Sequence, residues 1–205
     1  VDDFSRLYYD DPDTWPNTRW MGILTQKYPT DLFMYAEILY KTRPDLIIEC
    51  GTALGGSALF MAHICQIIGS GHIISIDSHD PQMYQKPPHV LITFVSGYSS
   101  LSPHVRNLLS EWVKPRHRVM VILDSDHSKE HVLSELEFYH NFVSPGCYLI
   151  VEDTNLNSIQ ARPDYGPGPK EALEEWLPKH PEFEVDEFCN RFILTAHPRG
   201  YLIRK

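Results

Sequence analysis

Between residues 46 and 152 the chain alternates between two hydrophobic periods, and this constrains its fold more than any other feature. Short continuous apolar runs occupy Leu46–Cys50, His72–Asp77, Leu91–Val95, Val119–Asp124 and Cys147–Glu152. Most of the stretches between them carry apolar residues at helical spacing. Gly55–Ile68 is one such stretch. A second follows Ser102-Pro103, with Val105, Leu108, Leu109 and Trp112 on one side. A third follows Ser128, with Val132, Leu136, Tyr139 and Val143 on one side. Strands that alternate with helices predict an α/β fold, a mostly parallel twisted sheet with helices on both faces. Runs without polar alternation fit strands buried on both sides. Thr30–Thr42 reads as a further helix, stopped before Pro44, and Pro169–Leu177 as another. Phe183–Phe188, Phe192–Ala196 and Tyr201–Arg204 read as closing strands with no helix between them, so one of them is expected to be antiparallel. No repeat or linker divides the chain. Residues 29–205 are therefore expected to form one domain. Residues 1–28, irregular and rich in aromatics such as Tyr8, Tyr9, Trp15 and Trp20, are expected to fold over it as a cap.

Composition narrows the partners. Eighteen Lys and Arg against 27 Asp and Glu give a net charge of −9 in 205 residues. With the cations scattered, this disfavours nucleic acid and anionic membranes. No apolar run approaches the roughly 20 residues that span a bilayer. Cys50, Cys65, Cys147 and Cys189 show neither a CxxC nor a zinc-like spacing. They are expected to be buried thiols in a reducing, cytoplasmic setting. The expected partner is a small molecule, with a homo-oligomer as the possible assembly.

In a doubly wound sheet, ligands bind beyond the carboxyl ends of the strands. Polar residues gather at those ends here: Glu49, Gly51, Thr52, Gly55 and Ser57 after the first strand, Asp77 and Ser78 after the second, and Ser99 after the third. Asp124, Asp126 and His127 follow the fourth, and Glu152 and Asp153 the fifth. The first loop is glycine-rich but is not GxGxxG, and it lacks the lysine of a phosphate-binding loop. Gly51 permits close approach of a ligand, Glu49 suits an amine, and Asp77 suits ribose hydroxyls. A glycine loop with an acid and no pyrophosphate cradle fits an adenosine ligand of the form of S-adenosyl-L-methionine (SAM). Asp124 adds to that set from the next strand. Asp124, Asp126, Glu152 and Asp153 form a second constellation whose like charges call for a cation. Oxygen donors favour Mg2+ or a similar divalent ion. His127 is the candidate base, since its ordinary pKa lies near neutrality.

The stretch from Pro44 to Ser57 resembles a family that carries the name cephalosporin hydroxylase. So do Leu123–Val132, Val151–Asn155 and Pro163–Pro169, and the similarity covers about residues 20–204. Despite its name, that family is similar to Rossmann-type SAM-dependent methyltransferases acting on cephem antibiotics, aminoglycosides and rhamnosyl glycolipids. The resemblance implies O-methylation of a small hydroxylated acceptor. More distantly, the chain is similar to Mg2+-dependent catechol O-methyltransferases, which implies metal ligation by Asp124, Glu152 and Asp153. Two departures stand out. The position of the lysine base, three residues after the first metal acid, holds His127, with Lys129 two further on; with Asp126 from the acidic constellation, the candidate catalytic set is His127, Lys129 and Asp126. The strand-five pair is Glu-Asp instead of Asp-Asn. Two rivals remain, an oxygenase as the family's name suggests and a non-catalytic SAM-binding partner protein. The loop Thr154–Gly168 is expected to act as a lid over the acceptor.

Overall fold

A computed structural model describes residues 2–79, 86–156 and 165–205. The chain opens with helix α1 (Asp2–Asp10) and a 3-10 turn over Trp15–Asn17. A two-residue hairpin follows, made of β1 (Arg19–Trp20) and β2 (Ile23–Leu24). Helix α2 (Pro29–Thr42) leads into β3 (Leu46–Cys50), α3 (Gly56–Ile68), β4 (Ile73–Asp77) and β5 (Ile92–Ser96). Next come α4 (Pro103–Val113), β6 (Val119–Leu123), α5 (Lys129–Tyr139) and β7 (Tyr148–Val151). The chain closes with α6 (Pro169–Trp176), β8 (Phe183–Val185) and β9 (Tyr201–Arg204).

Seven strands form one sheet in the order β5-β4-β3-β6-β7-β9-β8. The pairs β3 with β4, β4 with β5, β3 with β6 and β6 with β7 are parallel. β9 runs antiparallel to both β7 and β8. The mostly parallel sheet with one reversed closing strand is therefore as the sequence predicts. Strand alternation splits the core into two layers. Ile48, Cys50, Val121 and Leu149 pack against α4, α5 and α6 through Leu109, Leu136 and Trp176. Ile47, Ile73, Met120 and Ile150 pack against α2 and α3 through Ile38, Leu39 and Met61. All four cysteines are buried free thiols. No helix among the described residues is long and apolar enough to cross a membrane.

Two expectations are corrected. Phe192–Ala196 forms no strand. Ile193 takes φ +69°, and the segment is tied to the start of α2. Asp31 there accepts the Thr195 hydroxyl at 2.6 Å and the Ala196 N–H at 2.9 Å, while the Thr30 hydroxyl donates to the Leu194 carbonyl at 2.6 Å. Its apolar alternation gives way to these anchors. Residues 1–28 are also more regular than expected. Tyr8, Tyr9, Trp15 and Tyr28 close into an aromatic cluster, with Tyr8 and Tyr28 ring centroids 4.5 Å apart. Most of the 154–168 loop, residues 157–164, lies outside the described residues.

Candidate active site

Strand order reverses between β3 and β6, and a cavity of about 760 Å3 opens beyond their carboxyl ends. Gly51–Ala53, Asp77–His79, Ser99, Ser100 and Asp124–His127 line it from the strand ends. Asp153 and Tyr165 contribute from beyond β7, and Trp15 and Leu24–Lys27 from the N-terminal segment. Of the predicted site residues, Gly51, Thr52, Ser57, Asp77, Ser78, Ser99, Asp124, Asp126, His127 and Asp153 face this one cavity. Glu49, Gly55, Lys129 and Glu152 do not line it.

The glycine-loop half is held together by Asp77. Its Oδ2 accepts the backbone N–H groups of Thr52 at 3.0 Å and Ala53 at 2.8 Å. Its Oδ1 accepts the backbone N–H of His79 at 2.8 Å and faces His79 Nδ1 at 2.6 Å. Burial works to raise its pKa, but these hydrogen bonds outweigh it and hold the carboxyl below its usual value. Asp77 thus shapes the loop as well as facing the cavity. Gly51 adopts φ +98°, and a Cβ there would overlap the Asp124 carbonyl oxygen. The glycine is needed for the β3 loop to pass over the end of β6.

Glu49 departs from its expected place. It shares the strand face of Ile47, which points at α2 and α3. Its carboxylate is buried beneath α3, accepting the Ser57 and Ser75 hydroxyls at 2.5 Å each. Burial raises its pKa from 4.5 to about 7, with Ser57, Ser75 and Lys27 offsetting part of the rise. A raised carboxyl pKa means the folded state holds more protons than the unfolded state between those values. Stability therefore falls as pH rises through that window. Glu49→Gln is expected to raise stability at pH 8 by on the order of 2–3 kcal/mol and to change it little at pH 4.5. Urea unfolding at the two pH values checks this, and an equal effect at both would remove Glu49 as the cause.

The acidic half is organised by a residue that the sequence reading missed. The Lys27 ammonium bridges Asp124 Oδ2 and Glu152 Oε2, with only 6% of its side chain exposed. Burial pulls its pKa down, but Asp124, Glu152 and Asp153 outweigh it and the net shift is upward, so Lys27 stays charged. The Tyr35 hydroxyl donates to Glu152 Oε1. Both Glu152 oxygens are therefore engaged, and the side chain is 1% exposed. Burial, then the Glu152 charge, raise the Asp124 pKa to about 6 against the opposing pull of Lys27 and His127. A lone lysine in the aromatic N-terminal segment was the available signal. Nothing in its spacing points toward strand ends about 100 and 125 residues away.

Asp153 has φ +57°, a left-handed backbone rare outside glycine. Its N–H donates to His197 Nδ1 at 3.0 Å, and its Oδ2 stands 3.3 Å from His127 Nε2. His127 Nε2 is also 4.0 Å from Asp124 Oδ1. Donor atoms of Asp124, His127 and Asp153 lie within 4.8 Å of one another. Asp126 lines the cavity, but its Oδ1 accepts the Ser128 N–H at 2.8 Å and so shapes the entry to α5. Lys129 lies apart from the cavity: at the first turn of α5 it runs outward to Glu175 of α6, 2.8 Å away, a consequence of α5 packing against α6. Gly55, at φ +82°, is the residue from which α3 starts. His131, in the first turn of α5, also lines the cavity and was not among the predicted site residues. It sits 3.1 Å from the Ser125 hydroxyl, which donates to buried Glu135 at 2.7 Å.

Comparison with known proteins gives a consistent assignment. The family description Rhamnosyl O-methyltransferase/CmcI matches residues 12–205. Rhamnosyl O-methyltransferase of Mycobacterium bovis is 36% identical over 211 residues, covering 100% of this chain and 84% of that protein. Its counterpart in Mycobacterium leprae is 36% identical over 212 residues, covering 100% of this chain and 90% of the relative. A CmcI structure described as Mg-SAM superposes with TM-score 0.71 at 22% identity, covering 97% of this chain and 83% of the other. The O-methyltransferase TomG of Streptomyces achromogenes, in complex with SAM, superposes with TM-score 0.52 at 12% identity, covering 88% and 78%. These likenesses establish a Rossmann-like methyltransferase fold. The chain belongs to the rhamnosyl O-methyltransferase/CmcI family, and it is a SAM-dependent O-methyltransferase.

Proposed function

We propose that this enzyme methylates a hydroxyl of a small sugar-bearing acceptor, with SAM in the Gly51–Asp77 half of the cavity and the acceptor over Asp124, His127 and Asp153. The observation that carries the reading is the union of the two halves in one cavity, with His127 Nε2 3.3 Å from Asp153. The loop formed by Gly51, Thr52, Ala53 and Asp77 suits the nucleoside and amino-acid parts of SAM, with Ser57, Ser78 and Ser99 as further polar contacts. Trp15 and Tyr165 line the cavity, and aromatic side chains suit the C–H face of a sugar. Relatives named rhamnosyl O-methyltransferases support this acceptor class. A net charge of −9 suits an uncharged acceptor better than a polyanion.

A divalent cation fits part of the predicted donor set. Among the described residues, Asp124 Oδ1 and Asp153 Oδ2 make no charged contact except with His127, and both residues line the cavity. Glu152 does not fit while Lys27 and Tyr35 hold its oxygens, so its role is to seat Lys27. When bound by Asp124 and Asp153, a divalent cation would lower the acceptor hydroxyl's pKa. The chain's own residues do the rest. With SAM in one half and the acceptor in the other, the cavity would bring the acceptor oxygen to the sulfonium methyl group. SAM would supply the methyl group and leave as S-adenosylhomocysteine, with His127 taking the hydroxyl proton and Asp153 steadying the imidazolium. In this reading Lys129 has no part, and Asp126 keeps the His127 loop in shape.

His127→Ala and Asp153→Asn are expected to lower turnover by about 10²–10⁴-fold with SAM affinity changed less than about threefold. Removing divalent ions with EDTA is expected to lower turnover in the unaltered enzyme. Single-turnover kinetics on a rhamnosyl acceptor, beside calorimetry with SAM, check these outcomes. A parallel loss of SAM affinity in the two variants would place the residues in the cofactor half instead.

A further inference from the structure

A second cluster of metal-ligating side chains lies outside the catalytic cavity, where the end of α5 meets the turn after α6 and the start of β8. Donor atoms of His140, His180 and Glu182 lie within 4.8 Å of one another. Glu182 Oε1 is 3.0 Å from His180 Nδ1 and 3.8 Å from His140 Nδ1. Two donors on one tetrahedral zinc stand about 3.3 Å apart, given bonds of about 2.0–2.1 Å, so the observed spacings bracket that value. His140 Nδ1 is buried with no hydrogen-bond partner among the described residues, an uncommon state for a polar atom.

We infer that His140, His180 and Glu182 form a structural binding site for Zn2+ or a similar borderline divalent ion, joining α5, the α6 turn and β8.

Two further observations support it. First, the Glu137 carboxylate stands behind the His180 ring, its Oε1 3.7 Å from Nε2, and a carboxylate so placed orients a ligating histidine. Second, the His180 ring stacks on Trp176 at 3.8 Å and 11°, which holds its plane. Arg204, on the same side, donates to the main-chain oxygens of Val143 at 2.5 Å and His140 at 3.4 Å. Two imidazoles and a carboxylate select zinc over magnesium. Glu182, whose side chain is 36% exposed, leaves a path for entry and room for a water as fourth ligand.

The test uses the full chain, stripped of metal and titrated with Co2+ and Zn2+. Binding is followed by the visible bands of four-coordinate Co2+ and by thermal unfolding. One equivalent is expected to give those bands and to raise Tm by roughly 5–10 °C at 100 times Kd. His180→Ala and Glu182→Gln should weaken binding more than 100-fold, and Glu137→Gln about 10–100-fold. Glu182→Gln keeps the test sound if a histidine variant fails to fold. Asp153→Asn, in the catalytic cavity, should leave the Co2+ bands unchanged. Bands that survive Glu182→Gln, bands lost in Asp153→Asn, or six-coordinate Co2+ only would each overturn the inference.

Discussion

Gly51→Val is expected to destabilise the fold severely. From the sequence alone, Gly51 reads as space reserved for a ligand, which predicts lost SAM binding in an intact protein. The structure revises that outcome. A Cβ at position 51 would overlap the Asp124 carbonyl oxygen and crowd Ser125 N. The residue also needs φ +98°, which a β-branched side chain resists. The obstacle is backbone, in a loop pinned by Asp77 on one side and by the Asp124 N–H bond to the Cys50 carbonyl, 2.8 Å, on the other. Overpacking and a forced backbone conformation together are expected to cost about 4 kcal/mol or more, against a total of roughly 5–15 kcal/mol for a typical domain. Gly51→Ala should show a smaller loss of the same kind. Far-UV circular dichroism and urea unfolding read the effect. A Gly51→Val protein with unaltered unfolding and only SAM binding lost would restore the simpler account.

Lys27→Met should destabilise the protein by about 3–5 kcal/mol at pH 8, because it leaves Asp124 and Glu152 buried without their counter-charge. The loss should shrink as pH falls. Without Lys27 the Asp124 carboxyl, already raised, shifts further up and takes a proton, which relieves the buried like charges. The same variant should bind Mg2+ or Mn2+ more tightly than the unaltered chain, since Glu152 Oε2 and Asp124 Oδ2 become free oxygens. Thermal unfolding with and without Mg2+ at pH 6 and pH 8 gives all three readings. Equal stability at pH 8, within about 1 kcal/mol, would sink the view that Lys27 holds this cluster together.

The elements legible in the sequence were those whose signal is local. β3, β4, β6 and β7 carry continuous apolar runs, and their observed bounds fall within a residue or so of those runs. Ser102 caps α4 as its position before Pro103 suggests, with its hydroxyl 3.3 Å from the Val105 N–H. Ser128 begins α5 at the expected place but makes no side-chain cap bond. The reading failed where the chain's partners are distant. Phe192–Ala196 has strand-like composition, yet Thr30 and Asp31, over 160 residues earlier, take its polar groups. Glu49 ends an apolar run as a ligand-facing acid would, yet strand parity turns it beneath α3.

The sequence by itself determined that parallel strands would be buried on both sides and that polar residues would collect at their carboxyl ends. Both follow from periods of two and 3.6 residues, which every short window of chain displays. Tertiary structure alone decided how the charges there are balanced. The acids at 124 and 152 need a counter-charge for a physical reason visible in the sequence, since like charges cannot share a buried site. Which cation comes first depends on where the N-terminal segment lies. That segment packs its hairpin against the start of α3, where a Cβ on Gly56 would overlap Leu24 and Thr25, and so delivers Lys27 to both carboxylates. Loop placement arises from long-range packing and carries no period, so no window of sequence contains it.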